Sequence, residues 1–187
     1  MTAPVSPHDG WSVTAGGDVV IRRAIDGDAA RLAEFARRTF VETFGPDNAA
    51  EDMALHVATS FGADIQRREI RDDTMGTLLA GLGPTMIGFA QVRQGPPPAC
   101  VTGPLPIELL RFYVDRPFHG RGIAPTLMRA VEQLARDLGG RTLWLGVWER
   151  NPRAIAFYTK CGFVDVGEHA FIFGTEEQSD RVMARPL

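Results

Sequence analysis

Residues 108–124 read ELLRFYVDRPFHGRGIA, and the reading of this stretch decides the fold. Ile107 to Val114 is an apolar and aromatic run of strand type. His119-Gly120-Arg121-Gly122-Ile123-Ala124 is a short glycine-rich turn. Pro125 to Leu138 follows, with Leu127, Met128, Val131 and Leu134 at helical spacing. Proline in a first helical turn forfeits only an N–H that has no partner there. Thr142 to Trp148 is apolar on both faces, as in a strand covered on both sides. Asn151-Pro152 then opens a short helix that carries Tyr158 and stops at Gly162. The whole is a βαβα unit.

Upstream, Asp18 to Arg23 reads as an opening strand. Asp28 caps a helix running to about Phe44, with Leu32, Phe35, Ala36 and Phe40 on one side, and Gly45-Pro46 stops it. Asn48, with Glu51 three residues on, is the expected cap of a second helix through Phe61. Asp64 to Arg71 is a third. Thr77 to Leu82 and Met86 to Arg93 form a hairpin about Gly83-Pro84, and Gly95-Pro96-Pro97-Pro98 begins a loop. Phe163 to Val166 and Ala170 to Phe173 read as pieces of one later strand, with Arg181 to Arg185 closing the fold. Helices interspersed with strands point to a mixed α/β sheet.

At 187 residues, with 44% hydrophobic and 23% charged residues, the chain has the size and composition of one globular domain. Residues 1–17, polar and holding Pro and Gly, are expected to be a flexible tail ahead of a single domain over 18–187. No apolar run approaches a membrane span, and the start lacks the basic and apolar regions of a signal peptide. A net charge of −3 argues against nucleic acid as main ligand. The two cysteines, Cys100 in the Pro-rich loop and Cys161 late on a helix, have no metal-type spacing. A cytoplasmic protein without disulfides or a metal is expected. The oligomeric state is left open, a homodimer included.

Several residues carry chemistry. Gly120 and Gly122 let backbone N–H groups turn toward an anion at a helix N-terminus, and Arg121 can add charge, although a tight strand-to-helix turn has the same pattern. A P-loop would need GxxxxGK[ST], and a dinucleotide fingerprint a third Gly where Pro125 stands, so both fail. By strand alternation Glu108 shares a face with Leu110, Phe112 and Val114, with Arg111 opposite. A carboxylate on an apolar face is functional, paired, or at an exposed strand end. Asn151 and Tyr158, two helical turns apart, share a face, and each has a structural alternative as cap or core aromatic.

Taken together, the strand with Glu108, the HxxGxA turn, the apolar strand and the sequence NPRAIAFYTKCGF (151–163) resemble the acetyl-CoA core of the GNAT N-acetyltransferases. That family's turn is [RQ]xxGx[GA], so His119 is a departure at its first position. The resemblance implies an α/β (α+β) GNAT fold. Its central sheet is mixed and mostly antiparallel, flanked by helices, with central strands splayed into an acetyl-CoA cleft. It implies Glu108 as general base, Tyr158 as general acid, and Phe112, Val114, His119, Gly120, Arg121, Gly122, Ile123, Ala124 and Asn151 as cofactor-binding residues. A backbone N–H near Val114 would stabilise the oxyanion, and the pantetheine would lie between the strands of Val114 and Val147.

The stretches FVETF (40–44), EDM (51–53), WLGVWE (144–149) and GTEEQSD (174–180) are similar to the bacterial spermidine/spermine N-acetyltransferases of the PaiA type. This likeness implies a small-molecule amine acceptor, a polyamine, with Glu42, Asp47, Glu51 and Asp52 as acidic candidates along early helices that are otherwise solvated surface. Another small amine, such as an amino acid or an antibiotic, is the competing acceptor. A non-catalytic acyl-CoA-binding protein would keep the fold but has no need of Glu108 and Tyr158.

Overall fold

The computed structural model describes residues 13–15 and 19–187. In chain order the elements are β1 (Val13–Ala15), β2 (Val19–Arg23), α1 (Ala29–Phe44), α2 (Ala50–Ser60), α3 (Ala63–Arg71), β3 (Met75–Leu82) and β4 (Thr85–Gln94). Then come β5 (Pro106–Val114), α4 (Ile123–Asp137), β6 (Thr142–Trp148), α5 (Pro152–Lys160), β7 (Val164–Phe173) and β8 (Glu176–Pro186). The strands form one sheet in the order β1-β2-β3-β4-β5-β6-β8-β7. Every neighbouring pair is antiparallel except β5 with β6.

Two apolar layers clamp the sheet. On one face Leu127, Val131 and Leu134 of α4 meet Ile107, Leu109, Leu143, Leu145 and Met183, and α5 adds Phe157 and Tyr158 to the same side. On the other face Leu32, Phe35 and Phe40 of α1, with Met53 and Phe61, cover Leu79, Phe89 and Phe173. Covered on both sides, β6 is apolar along nearly its whole length, as its sequence requires.

The β5–β6 ladder is short. It pairs Pro106 with Thr142, Ile107 with Leu143 and Glu108 with Trp144, and goes no further. Beyond Glu108 the strands part, so the facing N–H and C=O groups of the remaining β5 and β6 residues line a gap inside the sheet. The expected splay is therefore present, and its apex lies at Glu108 and Trp144.

Several expectations are corrected at the level of single residues. Asn48 does not cap α2; Ala49 holds that position, and the Asn48 amide donates to the Phe44 carbonyl (2.7 Å). Asp28 stands at the α1 start but makes no cap bond; its carboxylate takes two hydrogen bonds from Arg22 (both 2.7 Å) and one from the Ile25 N–H. The two pieces read at 163–173 are one strand, bent by a bulge between Asp165 and Gly167, and β8 begins at Glu176, ahead of the expected Arg181. Val13–Ala15, within the stretch read as a tail, pairs with β2; the rest of that stretch lies outside the described residues.

Candidate active site

The register of β4 and β5 slips between Gln91 and Val92: Gln91 opposes Arg111, whereas Val92 opposes Leu109. Leu110 is the extra residue of a β-bulge, and a bulge turns the side chains beyond it over. Alternation through 108, 110, 112 and 114 therefore does not hold. Phe112 and Val114 pack with Ile107 and Leu109 on the α4–α5 side. Glu108, between Ile107 and Leu109, points to the other side, toward α1–α3. Arg111 joins it there, against expectation, and donates to Glu69 (2.7 Å) and Gln91 (2.6 Å). Tyr113 also lies on that side, stacked on Phe89 at 5.4 Å.

Glu108 sits at the apex with 15% of its side chain exposed, and its Oε2 accepts from Arg93 Nε (3.0 Å) and Nη2 (2.6 Å). Oε1 receives no hydrogen bond among the described residues. The carboxylate is thus held in place by one oxygen, with the other available.

Tyr158 stands across the sheet from it. Its ring is edge-on to Phe112 at 6.3 Å and to Phe163 at 5.7 Å, and tilted against Phe157 at 5.5 Å. No protein group bonds its hydroxyl among the described residues. Burial, reinforced by Tyr113 and Cys161, pushes the phenol well above its usual range, so it keeps its proton at neutral pH. A proton acceptor and a proton donor thus flank the gap from opposite faces.

At the wide end of the gap the chain passes through Arg116–Phe118 in a single 3-10 turn and enters the glycine-rich turn. Gly120 (φ 74°) and Gly122 (φ 80°) are left-handed, a conformation that costs a residue with Cβ about 1–2 kcal/mol. A Cβ on either would meet nothing within 4 Å, so the space above them is open. The backbone N–H groups of residues 120–124 donate to no carbonyl among the described residues, and the first closing bond is Thr126 to Gly122. Unpaired N–H groups at the positive end of a fifteen-residue helix form an anion cradle that fits a phosphate group.

His119 does not join the cradle with its side chain. Its ring turns back and donates from Nε2 to the Val114 carbonyl (2.7 Å), bracing the turn against the end of β5. The Arg121 guanidinium lies 5.7 Å over the Phe118 ring with no carboxylate partner among the described residues, which leaves its charge free. Asn151 caps α5, accepting from the Ala154 N–H through Oδ1 (3.1 Å), and its amide N–H groups remain available.

The early acidic residues divide by what they touch. Asp52 accepts from the Thr175 N–H (2.6 Å) and hydroxyl (2.8 Å), so it ties α2 to the β7–β8 turn and serves structure. Glu51 is exposed on the first turn of α2. Glu42 accepts from Arg38 (3.2 Å) and lines a groove of about 710 Å³ between α1 and α2, with Val41, Gly45, Asn48 and Met53. Arg38 reaches further and donates twice to Asp115 (3.0 and 2.8 Å), fixing α1 to the chain just after β5. That guanidinium holds the Asp115 carboxyl below the usual carboxylate range.

Sequence reading missed two side chains on the α1–α3 side of the opening, His169 on β7 and Asp180 on β8, which are cross-strand partners. Asp180 also stands opposite Trp148 of β6. The available signal was Gly146: a glycine inside an otherwise bulky strand marks a place where something approaches closely.

Residues 30–163 match the family model described as the acetyltransferase (GNAT) family. An N-acetyltransferase of Mycobacterium tuberculosis is 32% identical over 160 residues, covering 86% of this chain and 98% of that protein. A protein of Bacillus subtilis subsp. natto named as a probable spermine N(1)-acetyltransferase is 28% identical over 82 residues, 43% of this chain and 50% of that one. Among solved structures, the PaiA N-acetyltransferase of Thermoplasma acidophilum in complex with coenzyme A superposes with a TM-score of 0.74 at 21% identity, covering 90% of this chain and 99% of that one.

Proposed function

Because the chain belongs to the GNAT family of acetyltransferases and is thereby an acyltransferase, we propose that it acetylates a primary amine of a small molecule, a polyamine such as spermidine or spermine, using acetyl-CoA. One observation carries the reading: β5 and β6 part directly after Glu108 and Trp144, between a carboxylate on one face and a protonated phenol on the other.

The cofactor fits the residues around the gap. The N–H groups of residues 120–124, with Arg121, suit its pyrophosphate, and the unpaired edges of β5 and β6, flanked by Phe112, Val114 and Val147, suit its pantetheine arm. Asn151 follows the end of β6 by three residues, and its amide N–H groups suit the same cofactor. Acetyl-CoA supplies a thioester carbonyl carbon open to attack by an amine.

The chain's residues then handle protons. A primary amine keeps its proton up to a pH of about 10, so it must lose one before it can form the N–C bond. Glu108 accepts that proton through Oε1, directly or across one water, while Arg93 holds its other oxygen. A backbone N–H near Val114 faces the charge that develops on the carbonyl oxygen. As the C–S bond breaks, Tyr158 protonates the departing sulfur and is reprotonated by the second N–H proton of the amine. The balance is one amide, one thiol and one proton released to solvent. Placing donor and acceptor on opposite faces keeps amine entry separate from thiol departure.

The polyamine assignment is supported by the partial likeness to the spermine-named protein and by Glu42 on the lining of the α1–α2 groove, with Glu51 exposed on the first turn of α2. Thiol release from acetyl-CoA with a panel of amines tests the proposal. Spermidine and spermine are expected to exceed neutral-tailed primary amines in kcat/KM. Equal values would remove the polyamine, and no release with any amine would remove the transfer reaction.

A further inference from the structure

We infer that Asp180, with His169 beside it, is the cation site of the acceptor pocket and holds a positively charged nitrogen of the amine in front of the β5–β6 gap. The inference rests on the acyl-transfer reading for its purpose, but its evidence is separate.

The first observation is convergence on one point of β6. A Cβ built on Gly146 would stand 2.8 Å from His169 Nε2 and 3.2 Å from Asp180 Oδ2. Two polar atoms from two strands therefore approach the backbone of a third where that strand has no side chain. Gly146 belongs to the part of β6 that has left β5, so this point faces the mouth of the gap.

The second observation is missing compensation. Among the described residues no hydrogen bond or ion pair reaches the Asp180 carboxylate, although ten carboxylate–cation pairs occur elsewhere in the chain. His169 Nε2 is buried and has no partner among the described residues. The two do not satisfy each other, for no hydrogen bond joins them. Half-buried, the Asp180 carboxyl is held above the ordinary carboxylate range by burial, with only the His169 ring opposing. A buried carboxylate without a partner is costly unless a cation visits it.

The third observation is the surround. Trp148 lies opposite Asp180 on β6 with its ring edge-on to Phe44 at 5.9 Å, and the charge of Asp180 is felt by Tyr113 on β5. Aromatic walls around a carboxylate suit an ammonium group, which is drawn to both. The α1–α2 groove borders β8 close by: Asn48, on its lining, accepts from Gln178 (2.6 Å), two residues before Asp180. Of the guanidinium groups on this side, Arg111 is committed to Glu69 and Gln91, and Arg150 stacks on the Trp148 ring at 4.8 Å; neither bonds the Asp180 carboxylate.

The test is calorimetric titration of spermidine into protein saturated with coenzyme A, for the wild type, Asp180→Asn and Gly146→Ala. Loss of one partner of a shielded charge pair is expected to weaken spermidine binding roughly tenfold or more in Asp180→Asn. Added salt should weaken the wild type more than this variant. Gly146→Ala keeps every charge but puts a methyl 2.8 Å from His169 Nε2 and 3.2 Å from Asp180 Oδ2, which must then be pushed aside, so it should weaken spermidine as well. Coenzyme A affinity serves as the control for folding. Should Asp180→Asn lose coenzyme A too, Gly146→Ala decides. Unchanged spermidine affinity in the variants, or no spermidine binding by the wild type, overturns the inference. Spermidine binding that depends on Asp180 without any thiol release would uphold the cation site and instead sink the transfer reaction.

Discussion

Tyr158→Phe isolates one proton. The substitution keeps the ring, and with it the contacts to Phe112, Phe157 and Phe163 at 5.5–6.3 Å. Among the described residues the hydroxyl has no partner to lose, so unfolding free energy should stay within about 0.5 kcal/mol of wild type. General acids contribute about 10²–10⁴ in rate. A thiol with a pKa of about 8.5 leaves tolerably as its anion, which puts the expected loss at the low end, roughly 10²-fold or about 2.7 kcal/mol in the barrier. The assay is thiol release at saturating acetyl-CoA and amine, beside urea unfolding of both proteins. Burial raises the Tyr158 pKa above its usual value near 10, so the wild type should keep its acid, and show no loss of rate from it, up to at least about pH 10. Release within a few-fold of wild type, with stability unchanged, would refute the reasoning and make Tyr158 a packing residue.

The remaining predictions concern the cradle, the apex and the link between α1 and β5. Gly122→Val places a β-branched side chain at φ 80° over the open cradle; calorimetry should show a large loss of coenzyme A affinity with the fold retained, and unchanged affinity would reduce the turn to a connection. Glu108→Gln should lower turnover most near neutral pH and recover in part at alkaline pH, where more amine is already deprotonated; an unaltered pH–rate profile would take Glu108 out of the mechanism. Asp115→Asn should cost about 1 kcal/mol at pH 7, a value kept small because 40% of the Arg38 side chain is exposed. The Asp115 pKa is depressed in the fold, so this contribution is present above the unfolded value of about 3.9 and lost as pH falls through the folded value. Urea unfolding at pH 7 and pH 2 checks it, and an equal difference at both would contradict the pairing.

The sequence by itself determined what depends on neighbours along the chain. Hydrophobic period separates the apolar β6 from the one-sided helix α4, and Gly120 and Gly122 mark left-handed turns because residues with Cβ rarely adopt them. Asn151-Pro152 and Gly162 bound α5 by cap chemistry alone. Tyr158 and the N–H cradle were legible for that reason, each set by a few consecutive residues. The side of the sheet that Glu108 faces was not. Alternation is a local rule, but the residue inserted at Leu110 exists only relative to β4, whose Gln91 and Val92 oppose Arg111 and Leu109 with one residue skipped. A one-residue slip reverses every side chain beyond it, and only the ladder with a partner strand records it. Asn48 likewise has the right spacing for a cap, yet long-range contact with Gln178 of β8 accompanies a different use. His169, Asp180 and Gly146 stand on three strands, and although Gly146 and Asp180 fall within the stretches WLGVWE and GTEEQSD, nothing local says that they meet. Their convergence is set by the order in which β6, β8 and β7 lie side by side, a choice made by burial of whole strand faces.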